Sequence, residues 1–298
     1  MRTTMGLTII VFLALLMGVT GSPNVTIRPE ASTADNGLAH STSFPETSEE
    51  MEIAGQQNVS VPEEAFEDVM ATGELNPNHY PAQRAAKAVQ HYLNTLYGSP
   101  YRVIFLNRVH SGYAEDVADS GRKYKLEITV QDYISNKTEN CTAEVLFPGG
   151  EQQRPPQVQA SLEELPTTDT KAEEEALFQK YKTNQGQLSE HLPDSHGHVD
   201  PEMEPFKNLG NAASSFIMLN ESTENTLYNV AQVANVTQLK TENDQLKFDY
   251  YVLLHDMISQ EIIHWKLLFT WSPQEGVKVL QMEKLPHSHH EEIPQNNN

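Results

Sequence analysis

The sequence predicts an α+β protein made of two copies of one unit, each a helix laid on an antiparallel sheet. Three observations lead there: a run with helical period, several runs that alternate with period two, and the return of both in the same order 124 residues later.

The first helix is expected over PAQRAAKAVQHYLNTLY, residues 81–97, where Ala85, Ala88, Val89, Tyr92, Leu93 and Leu96 share one face. Pro81 in the first turn and Gly98 just past the end fit the usual start and stop signals. Strands are expected over YRVIFLNRV (101–109), RKYKLEITVQDYI (122–134) and CTAEVLFP (141–148). In the second of these, Tyr124, Leu126, Ile128 and Val130 alternate with Lys123, Lys125, Glu127 and Thr129, as in a sheet with one dry and one wet face. In the third, Cys141, Ala143, Val145 and Phe147 share a face opposite Thr142 and Glu144. That position makes Cys141 a small buried hydrophobe rather than a reactive thiol.

Adding 124 carries Pro81 to Pro205, Ala88 to Ala212, Tyr92 and Leu93 to Phe216 and Ile217, and Val109 to Val233. Tyr124, Leu126, Ile128 and Val130 meet Phe248, Tyr250, Val252 and Leu254. Asp132, Ile134 and Ser135 meet Asp256, Ile258 and Ser259, and Cys141, Ala143, Val145 and Phe147 meet Trp265, Leu267, Phe269 and Trp271. Identities are only seven over 67 positions, so identity does not decide the matter. One constant offset that keeps helix face, strand phase and hairpin aligned does, because a single slipped residue would reverse every strand face.

The expected organisation is a signal peptide at 1–21, an acidic disordered leader at 22–76, a first domain at 77–163, a linker with one helix at 164–198, a second domain at 199–286 and a flexible tail at 287–298. Arg2, the apolar run 6–18 and the small residues Val19, Thr20 and Gly21 read as a secretory signal. The apolar core is short of the roughly 20 residues of a membrane span, so peripheral membrane association follows only if this segment stays uncleaved. Sequons at Asn24, Asn58, Asn136, Asn140, Asn220 and Asn235 point to a secreted, extracellular glycoprotein. Eleven acids against Arg28 between 22 and 76, with abundant Ser, Thr and Pro, give the leader its disordered character. In the linker, TKAEEEALFQKYK (170–182) is a helix with a capping-box pattern at Thr170 and Glu173. A single cysteine rules out an internal disulfide framework, and a net charge of −21 argues against nucleic acid or an anionic membrane as partner.

The segment LLHDMISQEIIHW (253–265) resembles a zinc-protease H-E-x-x-H whose first histidine is Gln260. Two histidines one helical turn apart are needed to reach one zinc, and here that pair is missing. Ile263, Trp265, Leu267, Phe269 and Trp271 alternate strictly, so a strand is expected, with residues 260–264 at a hairpin turn opposite 136–140. His255, Gln260 and Glu261 then decorate a projecting tip. His196, His198 and Asp200, and the tail histidines 287, 289 and 290, have metal-like composition in loop-like context, and no metal or other cofactor is expected. No G-x-S-x-G, Walker loop, G-x-G-x-x-G or C-x-x-C is present, so no enzyme is expected.

HYPAQRAA, NCTAEVLFP, HLPDSHGHVDPEM and FDYYVLLHDMISQEIIHW together resemble the latexin family, with its retinoic acid receptor responder and ovocalyxin branches, over residues 78–285. The resemblance implies two tandem cystatin-like domains joined by a helical linker and inhibition of zinc metallocarboxypeptidases of the A type. It implies that the second-domain hairpin with His255, Ser259, Gln260 and Glu261 occludes the peptidase's active-site funnel. The signal and leader favour the secreted branch. The Q-x-V-x-G hairpin of cysteine-protease inhibitors is absent. His264 stands where latexin has proline, a change that could loosen the hairpin flank. The alternative reading is a non-inhibitory extracellular matrix or cell-surface protein on the same scaffold, binding matrix proteins.

Overall fold

The computed structural model of the protein describes residues 72–118, 120–150, 154–163 and 169–286, all within the compact unit Val59–Asn298. The expected signal peptide, residues 22–71 of the leader, and the tail lie outside the described residues. So do Asn24, Asn58 and the tail histidines.

Two antiparallel five-stranded sheets and three helices make up the described residues, an α+β architecture. In the first half, β1 (Gly73–Leu75) precedes α1 (Tyr80–Tyr97), and a meander of β2 (Ile104–Val117), β3 (Gly121–Asp132), β4 (Thr138–Pro148) and β5 (Gln157–Leu162) follows. After α2 (Lys171–Tyr181), the second half repeats the order: β6 (Gly186–Leu192), α3 (Glu204–Glu221), β7 (Tyr228–Glu242), β8 (Gln245–Asp256), β9 (Glu261–Ser272) and β10 (Gly276–Lys284). Strand order within each sheet follows chain order. The offset of 124 carries α1 onto α3 and β3 onto β8 end to end.

The period-two rows are the inward faces. Tyr124, Leu126, Ile128 and Val130 on β3, and Cys141, Ala143, Val145 and Phe147 on β4, are buried beneath α1. Phe248, Tyr250, Val252 and Leu254, with Trp265, Leu267, Phe269 and Trp271, are buried beneath α3. The second core is the more aromatic: Phe206 meets Tyr181 edge-on at 4.8 Å, and Tyr250 meets Phe269 at 4.9 Å. The first is filled by small residues, Ala82, Ala85, Ala86 and Ala88.

Six details differ from expectation. Leu96 is 54% exposed, because the buried stripe of α1 runs through Ala82, Ala86, Val89 and Leu93 to Tyr97 and leaves Leu96 beside it. Residues 101–103 do not start β2, since Ser99 and Arg102 exchange backbone hydrogen bonds of 2.9 and 3.2 Å in a tight turn. Residues 133 and 134 leave β3 for the turn after Asp132. Part of the expected leader, Gly73–Leu75, pairs with β2 at residues 112–114, and part of the expected linker, Gly186–Leu192, pairs with β7. Thr170 does not bond an N–H of α2; its hydroxyl donates to Glu174 Oε1 at 2.8 Å instead, so the capping box is not formed.

The two halves meet helix to helix. Gly98, which ends α1 at φ −65°, is required there for space rather than for an unusual φ: a Cβ would lie 2.4 Å from Asn94 O and 2.7 Å from Ala212 Cβ on α3. With α3 on one side and β2 on another, α1 buries polar residues too. Asn94 donates to Ile104 O at 2.7 Å and accepts from Ile104 N at 2.8 Å, while Gln90 Oε1 accepts from Leu106 N at 2.8 Å. Glu224, in the loop after α3, is gripped by the first half: Tyr124 Oη donates to its Oε1 at 2.5 Å and Arg84 Nη1 to its carbonyl at 2.8 Å. Burial and this acceptor push the Tyr124 phenol well above its ordinary pKa.

Candidate functional site

Strands β8 and β9 are paired from Leu246 with Trp271 out to Asp256 with Glu261 and anchored along their inward rows. Residues 257–260 form the turn between them. This fixed base sets where the tip points, since every inward residue is already committed to the core. At the tip Met257 is 43% exposed and Ile258 37%, and Ile262 on the adjoining strand is 39%. Those three exposed apolar side chains share the tip region with Gln260.

The turn is closed by its own hydrogen bonds. Gln260 N donates to Asp256 O at 2.8 Å, and Met257 N donates to Leu227 O at 2.9 Å. Gln260 sits at φ +61°, in the left-handed region, with its side-chain Nε2 donating to Met257 O at 2.6 Å. Ser259 Oγ donates to Asp256 Oδ2 at 3.0 Å and accepts from Glu261 N at 3.4 Å. Glu261 is exposed as the first residue of β9. His255 is half-buried on the outer sheet face, opposite Asn229 and Ile262, one strand position below the turn. Ser259, Gln260 and Glu261 thus stand exposed at the tip, the Ser259 hydroxyl being tied to Asp256, and His255 flanks the base. Asp256, Met257 and Ile258 are site residues outside the expected set. The signal for Asp256 was present in the sequence, as the inward parity of the row Phe248, Tyr250, Val252 and Leu254 extends to it.

Below the tip, the His264 ring Nδ1 meets the Tyr251 hydroxyl across the two strands, and the His264 carbonyl accepts from Leu285 N at 2.8 Å. The outer face is therefore braced where a proline would have stiffened the backbone.

Of the described sequons, Asn136, Asn140 and Asn220 are exposed and Asn235 is half-buried in β7, a central strand. Asn140 is engaged through Thr129 and Glu163, and Asn235 Oδ1 accepts from Thr237 Oγ1 at 2.9 Å. The amides of His196 and His198 both donate to Asp194 Oδ1, at 2.9 and 2.8 Å, which holds that carboxyl below its ordinary pKa. Among the described residues no group of three or more His, Cys, Asp or Glu is placed to hold a metal ion. Cys141 is 1% exposed, and burial pushes its thiol up to about 11. No described helix is long and apolar enough to cross a membrane.

The fold and the tip define a class: α+β proteins of two like halves, the second presenting a self-bonded hairpin. The latexin family model matches residues 75–289, and the chain belongs to that family. Human latexin is 36% identical over 215 residues, covering 72% of this chain and 97% of its own. The human retinoic acid receptor responder protein 1 is 31% identical, over 66% of this chain and 70% of that one. Ovocalyxin-32 of Gallus gallus is 29% identical, over 69% and 74%. Among solved structures, mouse fetuin-B aligns at a TM-score of 0.23 and 13% identity over 72% of this chain and 70% of that one, a likeness too loose to use.

Proposed function

We propose that this protein is a secreted, glycosylated inhibitor of zinc metallocarboxypeptidases of the A type. It has tandem cystatin-like halves and occludes the peptidase's active-site funnel with the β8–β9 tip. One observation carries the reading: the S-Q-E-I segment, residues 259–262, that the family resemblance ties to peptidase contact stands at an exposed, internally bonded hairpin tip.

Blocking a funnel needs no catalytic group and no metal of the inhibitor's own. It needs a complementary surface, on the order of 1,600 Å² in a standard inhibitor interface, and little ordering on contact. Gln260 offers a polar group at a tip that also exposes Met257, Ile258 and Ile262, and the brace between Tyr251 and His264 supports strand stiffness below it. Each half, with one helix against a five-stranded antiparallel meander, supports the cystatin-like reading. The N-terminal apolar run and the sequons support secretion and glycosylation.

Titration against a pancreatic-type carboxypeptidase A tests the proposal, with inhibition expected at or below micromolar protein. An unaltered rate at that concentration rejects it and favours the matrix-binding alternative.

A further inference from the structure

Period two, which turns Phe248, Tyr250, Val252 and Leu254 inward, turns Asp256 inward as well, and it is 5% exposed. A carboxylate in that position must find donors or be expelled. It has three: Leu227 N and Ile258 N reach Oδ1 at 3.1 Å each, and Ser259 Oγ reaches Oδ2 at 3.0 Å. Its own carbonyl accepts Gln260 N at 2.8 Å. The acid thus joins the turn to the segment before β7 and fixes it from inside.

The first half contains the same device. Asp132, 8% exposed, accepts Ile134 N at 3.1 Å and Ser135 Oγ at 2.7 Å, and Tyr133 N donates to Val103 O at 2.9 Å as Met257 N does to Leu227 O. Both turns end in a left-handed residue, Asn136 at φ 57° and Gln260 at φ 61°. Asparagine accepts that conformation readily, whereas the longer Gln260 meets it with its Nε2 bonded back to Met257 O at 2.6 Å. The first turn has a residue well suited to its backbone, and the second holds a longer one that is fastened to the turn.

We propose that Asp256 is the positioning residue of the tip: its buried carboxylate locks residues 257–260 so that Gln260 is held left-handed and outward before any partner arrives. Fixing a contact residue in advance removes an ordering cost from binding. The binding half of this inference rests on the inhibitor reading, while the structural half stands without it.

The test compares wild type with Asp256→Ala, Asp256→Asn and, as a matched loss in the other half, Asp132→Ala. Amide hydrogen exchange and inhibition of carboxypeptidase A are both measured. Asp256→Ala is expected to speed exchange at Leu227 and Ile258 by about 10-fold or more beyond any change at core amides such as Val252. It is also expected to weaken inhibition by about 10-fold, chiefly through faster dissociation. Asp256→Asn keeps an acceptor oxygen and should stay within about 3-fold on both measures. Asp132→Ala should lower stability yet leave inhibition unchanged. Unaltered exchange at Leu227 and Ile258 in Asp256→Ala overturns the proposal, as does faster exchange with inhibition intact. If wild type does not inhibit, the inhibitor reading fails, and exchange alone then decides whether Asp256 holds the turn.

Discussion

Acid should weaken the junction between the halves through one residue. His91 on α1 is 1% exposed with neither ring nitrogen hydrogen-bonded, and burial with a further push from Lys87 lowers its pKa from 6.5 to about 3. The native ring is therefore neutral where the unfolded ring is protonated. Between about pH 6.5 and 3 the unfolded chain binds the extra proton, so stability falls as pH falls through that window and is flat above it. At about 1.4 kcal/mol per pH unit, the full window is worth on the order of 5 kcal/mol. Water entering from the neighbouring cleft of about 320 Å³, which His91 helps to line, reduces what is realised to about 2–4 kcal/mol. The perturbation is His91→Gln, with urea unfolding of both proteins at several values between pH 7 and 4. Carboxylates titrate in both, so the difference isolates the imidazole. The wild type should lose stability relative to the variant by up to about 1.4 kcal/mol per unit below pH 6. Parallel profiles would refute the reasoning.

Three further outcomes are expected. Gly210→Ala places a Cβ 2.6 Å from Val233 Cγ2 and 3.2 Å from the Tyr250 ring, so overpacking should outweigh the gain in helix propensity and cost about 1–3 kcal/mol in urea melts; an unchanged midpoint contradicts this. Cys141, buried with its thiol raised to about 11, should resist a thiol reagent at pH 8 in the native protein and react once unfolded, and rapid native labelling would show otherwise. Gln260→Asn relieves the left-handed turn and should raise the melting temperature, by about 0.5–1 kcal/mol of stability, while weakening inhibition; a lower melting temperature contradicts the strain reading.

Much of the scaffold was legible because alternation and offset are strong signals. The inward rows from Tyr124 to Val130 and from Phe248 to Leu254 need only period two, and the hairpin at Gln260 follows from its phase with Asn136. The edge strands were not. β1 has three residues, β6 alternates poorly, and β10 is broken by a bulge between Val279 and Gln281, so each owes its state to its neighbour rather than to its own pattern. The buried polar residues Gln90, His91 and Asn94 were equally hidden, because a helix face reads as wet until a second helix and a strand end are known to cover it. At the site, sequence placed residues 260–264 on the turn; Gln260 is there, but the turn is 257–260, and residues 261–264 already belong to β9, paired with β8. Nor did sequence show that the Ser259 hydroxyl is tied to a buried carboxylate.

The central claim is that contact with the peptidase runs through the second tip and not its duplicate. The most direct measurement is the inhibition constant of Gln260→Lys beside that of Asn136→Lys, both against carboxypeptidase A and in protein treated to remove any N-glycan. The account predicts a loss of about 100-fold or more for the first, as a buried unpaired charge at an interface centre brings, and none for the second. Equal constants for the two variants, or a loss confined to Asn136→Lys, would contradict it.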